Sequence, residues 1–157
     1  MAVRVYVGVG SNLGDSGQVV SEACQRVIHL GSEGRTSSLY RTAPRGGPPQ
    51  PPYCNAVAVF STAWTPFQVL GLLRRIEAHF GRARRQRWGP RILDLDLLLF
   101  GDRIVLHPRL TVPHPRLGER RFVLEPLFEL SPDLALPDGR TIRALREAAM
   151  DQEVIPW

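Results

Sequence analysis

The stretch Ile92-Leu93-Asp94-Leu95-Asp96-Leu97-Leu98-Leu99-Phe100 alternates leucine with aspartate and then turns wholly apolar, and it reads as a β-strand. Successive strand side chains point to opposite faces. The spacing therefore predicts Leu93, Leu95, Leu97 and Leu99 on one face, with Asp94 and Asp96 on the other beside Ile92, Leu98 and Phe100. Upstream, Val3, Val5, Val7 and Val9 alternate with Arg4, Tyr6 and Gly8, a first strand that breaks at Gly10-Ser11-Asn12-Leu13-Gly14. From Asp15, the residues Val20, Ala23, Cys24 and Val27 recur at helical spacing, with Gly31 as the stop. A second strand is expected over Arg35 to Tyr40 and a third over Asn55 to Thr62, flanking a rigid proline- and glycine-rich loop. Thr65-Pro66-Phe67-Gln68 reads as a capping box with proline at the first helical position, and Val69, Leu72, Leu73, Ile76 and Phe80 form the stripe of a second helix that Gly81 ends.

The strand over Ile92 to Phe100 then completes a β-α-β-β-α-β order. The fold class expected is α+β, a ferredoxin-like sandwich of sheet and helices. The remainder, from Gly101, holds turn signals, a mixed segment at Arg120 to Leu130 and a helix near Thr141 to Met150, and is expected to pack as a C-terminal extension on the same sheet. With 157 residues and 43% apolar content, the chain is expected to be one domain, 1–157, with a continuous core. The N-terminus lacks the succession of a secretory signal, and the longest apolar run is far too short for a bilayer. Cys24 and Cys54 have neither metal spacing nor a disulfide framework, so reduced thiols in the cytoplasm are expected.

Asp94 and Asp96 carry the sharpest chemical signal. Two residues of strand separate their backbones by roughly 7 Å. Unit charges that far apart repel by about 2 kcal/mol at an effective dielectric of about 20, and apolar neighbours worsen the repulsion. A cation between them relieves it. Two carboxylates leave most of an octahedral shell free, which suits Mg²⁺ shared with substrate phosphates; a merely wet strand face is the bland alternative.

All 20 basic residues are arginine, against 15 acidic ones, for a net charge of +5. The absence of lysine excludes a Walker-type phosphate loop and Schiff-base chemistry. Arginine still grips phosphate through its planar fork. Arg82, Arg84, Arg85, Arg87 and Arg91 crowd around Trp88-Gly89-Pro90 just before the acidic strand, where like charges require an anion to settle. A polyphosphate bridged by Mg²⁺ to the aspartates supplies one, and Trp88 can cover a flat ring. Gly8, Gly10 and Gly14 only loosely resemble a dinucleotide fingerprint and read better as a tight turn. The four histidines lack zinc spacing. An RNA-recognition module should carry aromatics where this sheet face carries aspartates, and a kinase passing only the terminal phosphate stays open on residues alone.

Gly10-Ser11-Asn12-Leu13-Gly14, Tyr40-Arg41-Thr42 with Pro44, Tyr53 with Asn55, Arg87-Trp88-Gly89-Pro90-Arg91, Leu93-Asp94-Leu95-Asp96 and Val112-Pro113-His114-Pro115 together resemble the 6-hydroxymethyl-7,8-dihydropterin pyrophosphokinase family, nearly end to end. The resemblance implies transfer of pyrophosphate from ATP to the pterin hydroxymethyl group in folate biosynthesis, with AMP as the other product. The chain is expected to be a cytoplasmic monomer without nucleic-acid or membrane partners. It assigns Asp94 and Asp96 to two magnesium ions on the ATP phosphates. Tyr53 and Phe122 would sandwich the pterin, with Asn55, Thr42 and Pro44 at its edge. Arg82 and Arg91 would act in the transfer, within a loop holding Arg84, Arg87 and Trp88 that closes over ATP. Glu77, Arg109, Leu110, Thr111, His114 and Arg120 match nucleotide-side positions. The chain departs from the family pattern at Arg74, where glutamine is expected, at Arg45, where an apolar residue is usual, and in an arginine loop one residue shorter than in some relatives.

Overall fold

The computed structural model of the chain describes residues 1–44, 49–81 and 92–157. Strand β1 (Val3–Ser11) leads through helix α1 (Ser16–Ile28) to β2 (Ser32–Thr36), β3 (Tyr40–Thr42) and the long β4 (Tyr53–Thr62). Helix α2 (Pro66–His79) and strand β5 (Asp94–Phe100) follow. The C-terminal part comprises the hairpin β6 (Val105–His107) and β7 (Leu110–Val112), helices α3 (Arg121–Leu130) and α4 (Ile142–Ala148), and the short strand β8 (Ile155–Pro156). The main sheet runs β5-β1-β4-β3-β8, with β2 also on β4, and every pairing is antiparallel. The architecture is α+β.

Local chemistry explains both ends of α2. Thr65 accepts from the Gln68 amide while Gln68 reaches back to the Thr65 amide, so two orphan donors are satisfied at once, and Pro66 begins the helix where no amide is needed. At the other end Gly81 adopts φ +77°, a left-handed stop that a side chain would strain. Asp15 caps α1 by accepting from Gln18.

Two cores lie on opposite faces of the sheet. On one, Val5, Val7, Val9, Leu95 and Phe60 pack under Val20, Cys24 and Val27 of α1 and Val69 and Leu73 of α2. On the other, Tyr6, Val57, Val59, Leu98 and Leu99 lie beneath Val123, Leu124 and Leu127 of α3 and Ile142 of α4. Each such fully buried side chain contributes about 1.5–3 kcal/mol. The C-terminal extension thus packs on the sheet as expected. It also supplies the unforeseen β8, whose pairing with β3 is completed by the Trp157 amide donating to the Leu39 carbonyl.

Several expectations are corrected. The second strand, expected over Arg35 to Tyr40, is two strands, because Ser37 interrupts the ladder with its own side chain. Its hydroxyl accepts from the Val57 amide in place of a backbone carbonyl. Residues Arg120 to Leu130 are not mixed but nearly all helix, since the apolar stripe finds the sheet to pack on. Gly8 and Gly10 lie within β1 and not in a turn; only Gly14 takes a left-handed φ, +72°. The alternation along β5 also fails past Leu97. Tyr6 faces Leu99 and Val7 faces Leu97, so Leu98 is an extra residue, and this bulge reverses the parity. Leu99 joins Leu98 in the second core and Phe100 turns into the first, opposite to the predicted faces.

Candidate active site

Pairing register places the functional candidates in rows across one sheet face. Asn55 of β4 stands opposite Gly10 of β1, and Gly10 stands opposite Asp94 of β5. One step along, Val57, Gly8 and Asp96 form the next row. Asp94 and Asp96 therefore share a face, as the strand period predicts, and both are only partly buried. Two glycines form the floor between them and β4. With neighbouring strands roughly 4.8 Å apart, Asn55 and Asp94 lie about 10 Å from each other across that floor. A Cβ on Gly10 would stand 3.0 Å from Asn55 Nδ2, so the close approach of that amide is what glycine permits here.

Beside the aspartates opens a cavity of about 350 Å³ lined by Arg74, Glu77, Ala78, Asp94 and Asp96. Glu77, 1% exposed, accepts the Leu95 amide on Oε2 at 2.8 Å and pairs with Arg74 through Oε1. Arg74 also donates to the Leu95 carbonyl at 3.2 Å.

His114 and Arg120 approach Asp96 from the chain after β7. The His114 amide donates to the Leu98 carbonyl at 3.0 Å, and its Nδ1 accepts from the Arg116 amide at 3.2 Å. That bond leaves the proton of the neutral ring on Nε2. Burial holds the imidazole below its ordinary range, Arg120 and Arg116 add to that, and Asp96 opposes it. Arg120 is itself lowered by burial and by Arg116, against the attraction of Asp96, and its guanidinium lies 5.5 Å from the centre of the Phe122 ring. Arg120 thereby stands near both Phe122 and Asp96.

At the far end of the rows, Thr42 Oγ1 donates to Asn55 Oδ1 at 2.7 Å, and Thr42 faces Tyr53 in the ladder. The hydroxyl fixes the Asn55 amide so that its nitrogen turns toward the Gly10 side. Pro44 follows Thr42 half-buried, and Tyr53 is half-buried at the start of β4. Asn12 Nδ2 donates to Gln50 Oε1 at 2.7 Å and to the Pro51 carbonyl at 3.1 Å, tying the turn after β1 to the proline-rich segment. On the hairpin, Arg109 is exposed, Thr111 is half-buried, and Leu110, 7% exposed, points into the first core. Arg82, Arg84, Arg87, Trp88 and Arg91, together with Arg45, lie outside the described residues.

The fold thus brings Asp94, Asp96, Glu77, His114 and Arg120 around one end of the glycine floor, and Thr42, Asn55 and Tyr53 around the other. The edge contact of Arg74 was not legible beforehand. Its only sequence signal was the departure from glutamine. Among the described residues no group of three or more histidine, cysteine or acidic side chains is placed to hold a metal by itself. The oxygen-only pair of Asp94 and Asp96, both partly buried, fits a hard cation that draws its other ligands from a substrate.

This is the arrangement of a small-molecule phosphotransfer enzyme. The chain belongs to the 7,8-dihydro-6-hydroxymethylpterin-pyrophosphokinase family, whose model matches residues 6–132. The 2-amino-4-hydroxy-6-hydroxymethyldihydropteridine pyrophosphokinase of Haemophilus influenzae is 40% identical over 155 residues, covering 98% of this chain and 97% of that one. The enzyme of the same name from Pseudomonas aeruginosa is 45% identical over 151 residues, covering 94% and 93%. A crystal structure of Plasmodium falciparum HPPK-DHPS with pteroate superposes with a TM-score of 0.75 at 16% identity, over 96% of this chain and 43% of that chain, a likeness of fold.

Proposed function

We propose that the glycine floor is the track of the transferred group, with Asp94 and Asp96 holding magnesium at one end and Asn55, Thr42 and Tyr53 holding the acceptor at the other. The chain is an ATP-dependent pyrophosphokinase of folate biosynthesis, acting on 6-hydroxymethyl-7,8-dihydropterin. The hydroxymethyl oxygen loses its proton to solvent and forms a bond to the β-phosphorus of ATP, the bond from that phosphorus to the oxygen bridging to the α-phosphate breaks, and AMP leaves with that oxygen. Magnesium, read as two ions, would neutralise the phosphate charge as it moves.

The protein's own groups do the positioning. Asp94 and Asp96, on one face and level with Gly10 and Gly8, fix where the polyphosphate lies. Arg120 and the Nε2–H of His114 stand beside Asp96 as donors to phosphate oxygens. The Asn55 amide, oriented by Thr42, presents hydrogen-bonding atoms to a heteroaromatic edge, while Tyr53 and Phe122 would enclose its faces. Glu77, Arg109, Leu110, Thr111, Arg84, Arg87 and Trp88 are read as the nucleotide side, Pro44 as part of the pterin edge, and Arg82 and Arg91 as the groups that grip the pyrophosphate in transit. The observation that carries this reading is the pair of rows Asn55-Gly10-Asp94 and Val57-Gly8-Asp96.

The core is best classed as ferredoxin-like with β2 and β3 sharing the second strand position; the order β5-β1-β4-β3 supports that class. The whole chain would act as one catalytic unit and as a monomer. Buried, free Cys24 and Cys54 accord with a reducing cytoplasm. Among the described residues no helix is long and apolar enough to cross a membrane. Incubated with Mg-ATP and the hydroxymethyl dihydropterin, the protein should release AMP in step with pterin diphosphate. ADP as the nucleotide product would overturn the reading.

A further inference from the structure

Strand β5 is the edge of the sheet, so the backbone groups on its outer side need partners from elsewhere. At Leu95 two side chains of α2 supply them. Glu77 Oε2 accepts from the Leu95 amide at 2.8 Å, and Arg74 Nη2 donates to the Leu95 carbonyl at 3.2 Å. Arg74 Nη1 pairs in turn with Glu77 Oε1, which closes a ring of donors and acceptors around one residue of the strand. Arg74 and Glu77 are three residues apart on a helix, hence neighbours on one face, and together they reproduce the donor and acceptor a missing strand would offer.

The clamped residue lies between Asp94 and Asp96, and both side chains of the clamp, Arg74 and Glu77, border the cavity beside those carboxylates. Any shift of the Leu95 peptide turns both aspartates with it. Arg74 also neutralises a third carboxylate, Glu77, that is 1% exposed and lines the same cavity. Without the guanidinium, the helix loses its bond to the Leu95 carbonyl and Glu77 loses one partner, so the grip on the strand loosens.

We propose that Arg74 is a positioning residue for pyrophosphoryl transfer, acting through Glu77 and the Leu95 peptide to hold the spacing and direction of Asp94 and Asp96. This rests on those aspartates being the cation ligands. A residue that merely covers the sheet edge would affect stability alone, and a residue that grips ATP directly would affect nucleotide affinity without loosening the strand.

The test uses the full chain with Arg74→Met, which keeps the apolar stem and removes the guanidinium, and Arg74→Gln, which keeps a single donor. Turnover number, KM for each substrate and amide hydrogen exchange at Leu95 in the ligand-free protein are measured together. Arg74→Met should lower turnover by about 10- to 100-fold, the cost of a misplaced catalytic group, with KM for the pterin within about twofold of wild type. Exchange at Leu95 should accelerate in the same variant. Arg74→Gln should recover part of both effects, and in an Arg74→Met/Glu77→Leu double variant the losses should fall short of the sum of the single ones, because both act on one peptide. Wild-type turnover in Arg74→Met would overturn the proposal, as would lost turnover with Leu95 exchange unchanged. Asp94→Ala is assayed alongside: if it stays active, the ligand assignment fails, whereas the Leu95 exchange rate still reports the clamp.

Discussion

Adding one methyl group at Gly10 tests the glycine floor directly. The new Cβ would stand 3.0 Å from Asn55 Nδ2, closer than ordinary van der Waals contact, so the amide must give way. Moving it strains or breaks the 2.7 Å bond from Thr42 Oγ1 to Asn55 Oδ1, a loss of about 0.5–1.5 kcal/mol. Against that, replacing glycine by alanine in an unstrained strand stabilises by about 0.4–1 kcal/mol through the unfolded chain. The two nearly cancel, so Tm should shift by no more than about 2–4 °C in either direction. Activity has no such compensation. The methyl lies on the track between acceptor and metal, and a displacement of about 1 Å at the reacting centre costs about 100-fold. Gly10→Ala should therefore lose about 100-fold in kcat/KM, measured by AMP release, in a protein that melts almost as the parent does. Gly8→Ala adds a methyl to the same floor without disturbing the Asn55 amide, since its Cβ would meet Leu98 at an ordinary 3.5 Å. A Gly10→Ala enzyme with parental kcat and KM would show that the substrates do not cross this floor, and the reasoning from the rows would fall.

Asp94→Ala and Asp96→Ala should each lower turnover by at least about 100-fold with the circular dichroism spectrum preserved, since a charge-stabilising ligand is lost from a partly exposed strand face; near-parental activity in magnesium would mark the pair as solvated surface. The Cys24 and Cys54 thiols, buried in the first core, are each pushed up to about 12, chiefly by burial. The raised value keeps them protonated, with a thiolate fraction of about 10⁻⁴ at pH 8, so a thiol-specific disulfide reagent should label neither in the native protein and both after denaturation. Rapid labelling of the folded chain at pH 8 would contradict the packing of α1 on β4.

Local chemistry by itself determined much of this protein. The capping box at Thr65, the left-handed stop at Gly81 and the apolar stripes of both helices depend on residues within one or two turns of each other, and the period of the strand from Leu93 to Leu97 places Asp94 and Asp96 on one face without reference to any partner. The motifs that resemble the family carried the reaction. Tertiary structure decided whatever depends on pairing. The bulge at Leu98 exists only against Tyr6 and Val7, so the faces of Leu99 and Phe100 could not follow from alternation. Gly10 looked like the break of the first strand because its role with Gly8, a bare floor between Asn55 and the aspartates, appears only once β4 and β5 flank β1. Arg74 looked like a departure from pattern because the groups it satisfies lie at Leu95 of β5, where among the described residues the sheet order ends. Periodicity is a property of neighbouring residues along the chain, whereas register, edges and the partners of buried charges are set by segments far apart in sequence, and those contacts arise only when the chain closes on itself.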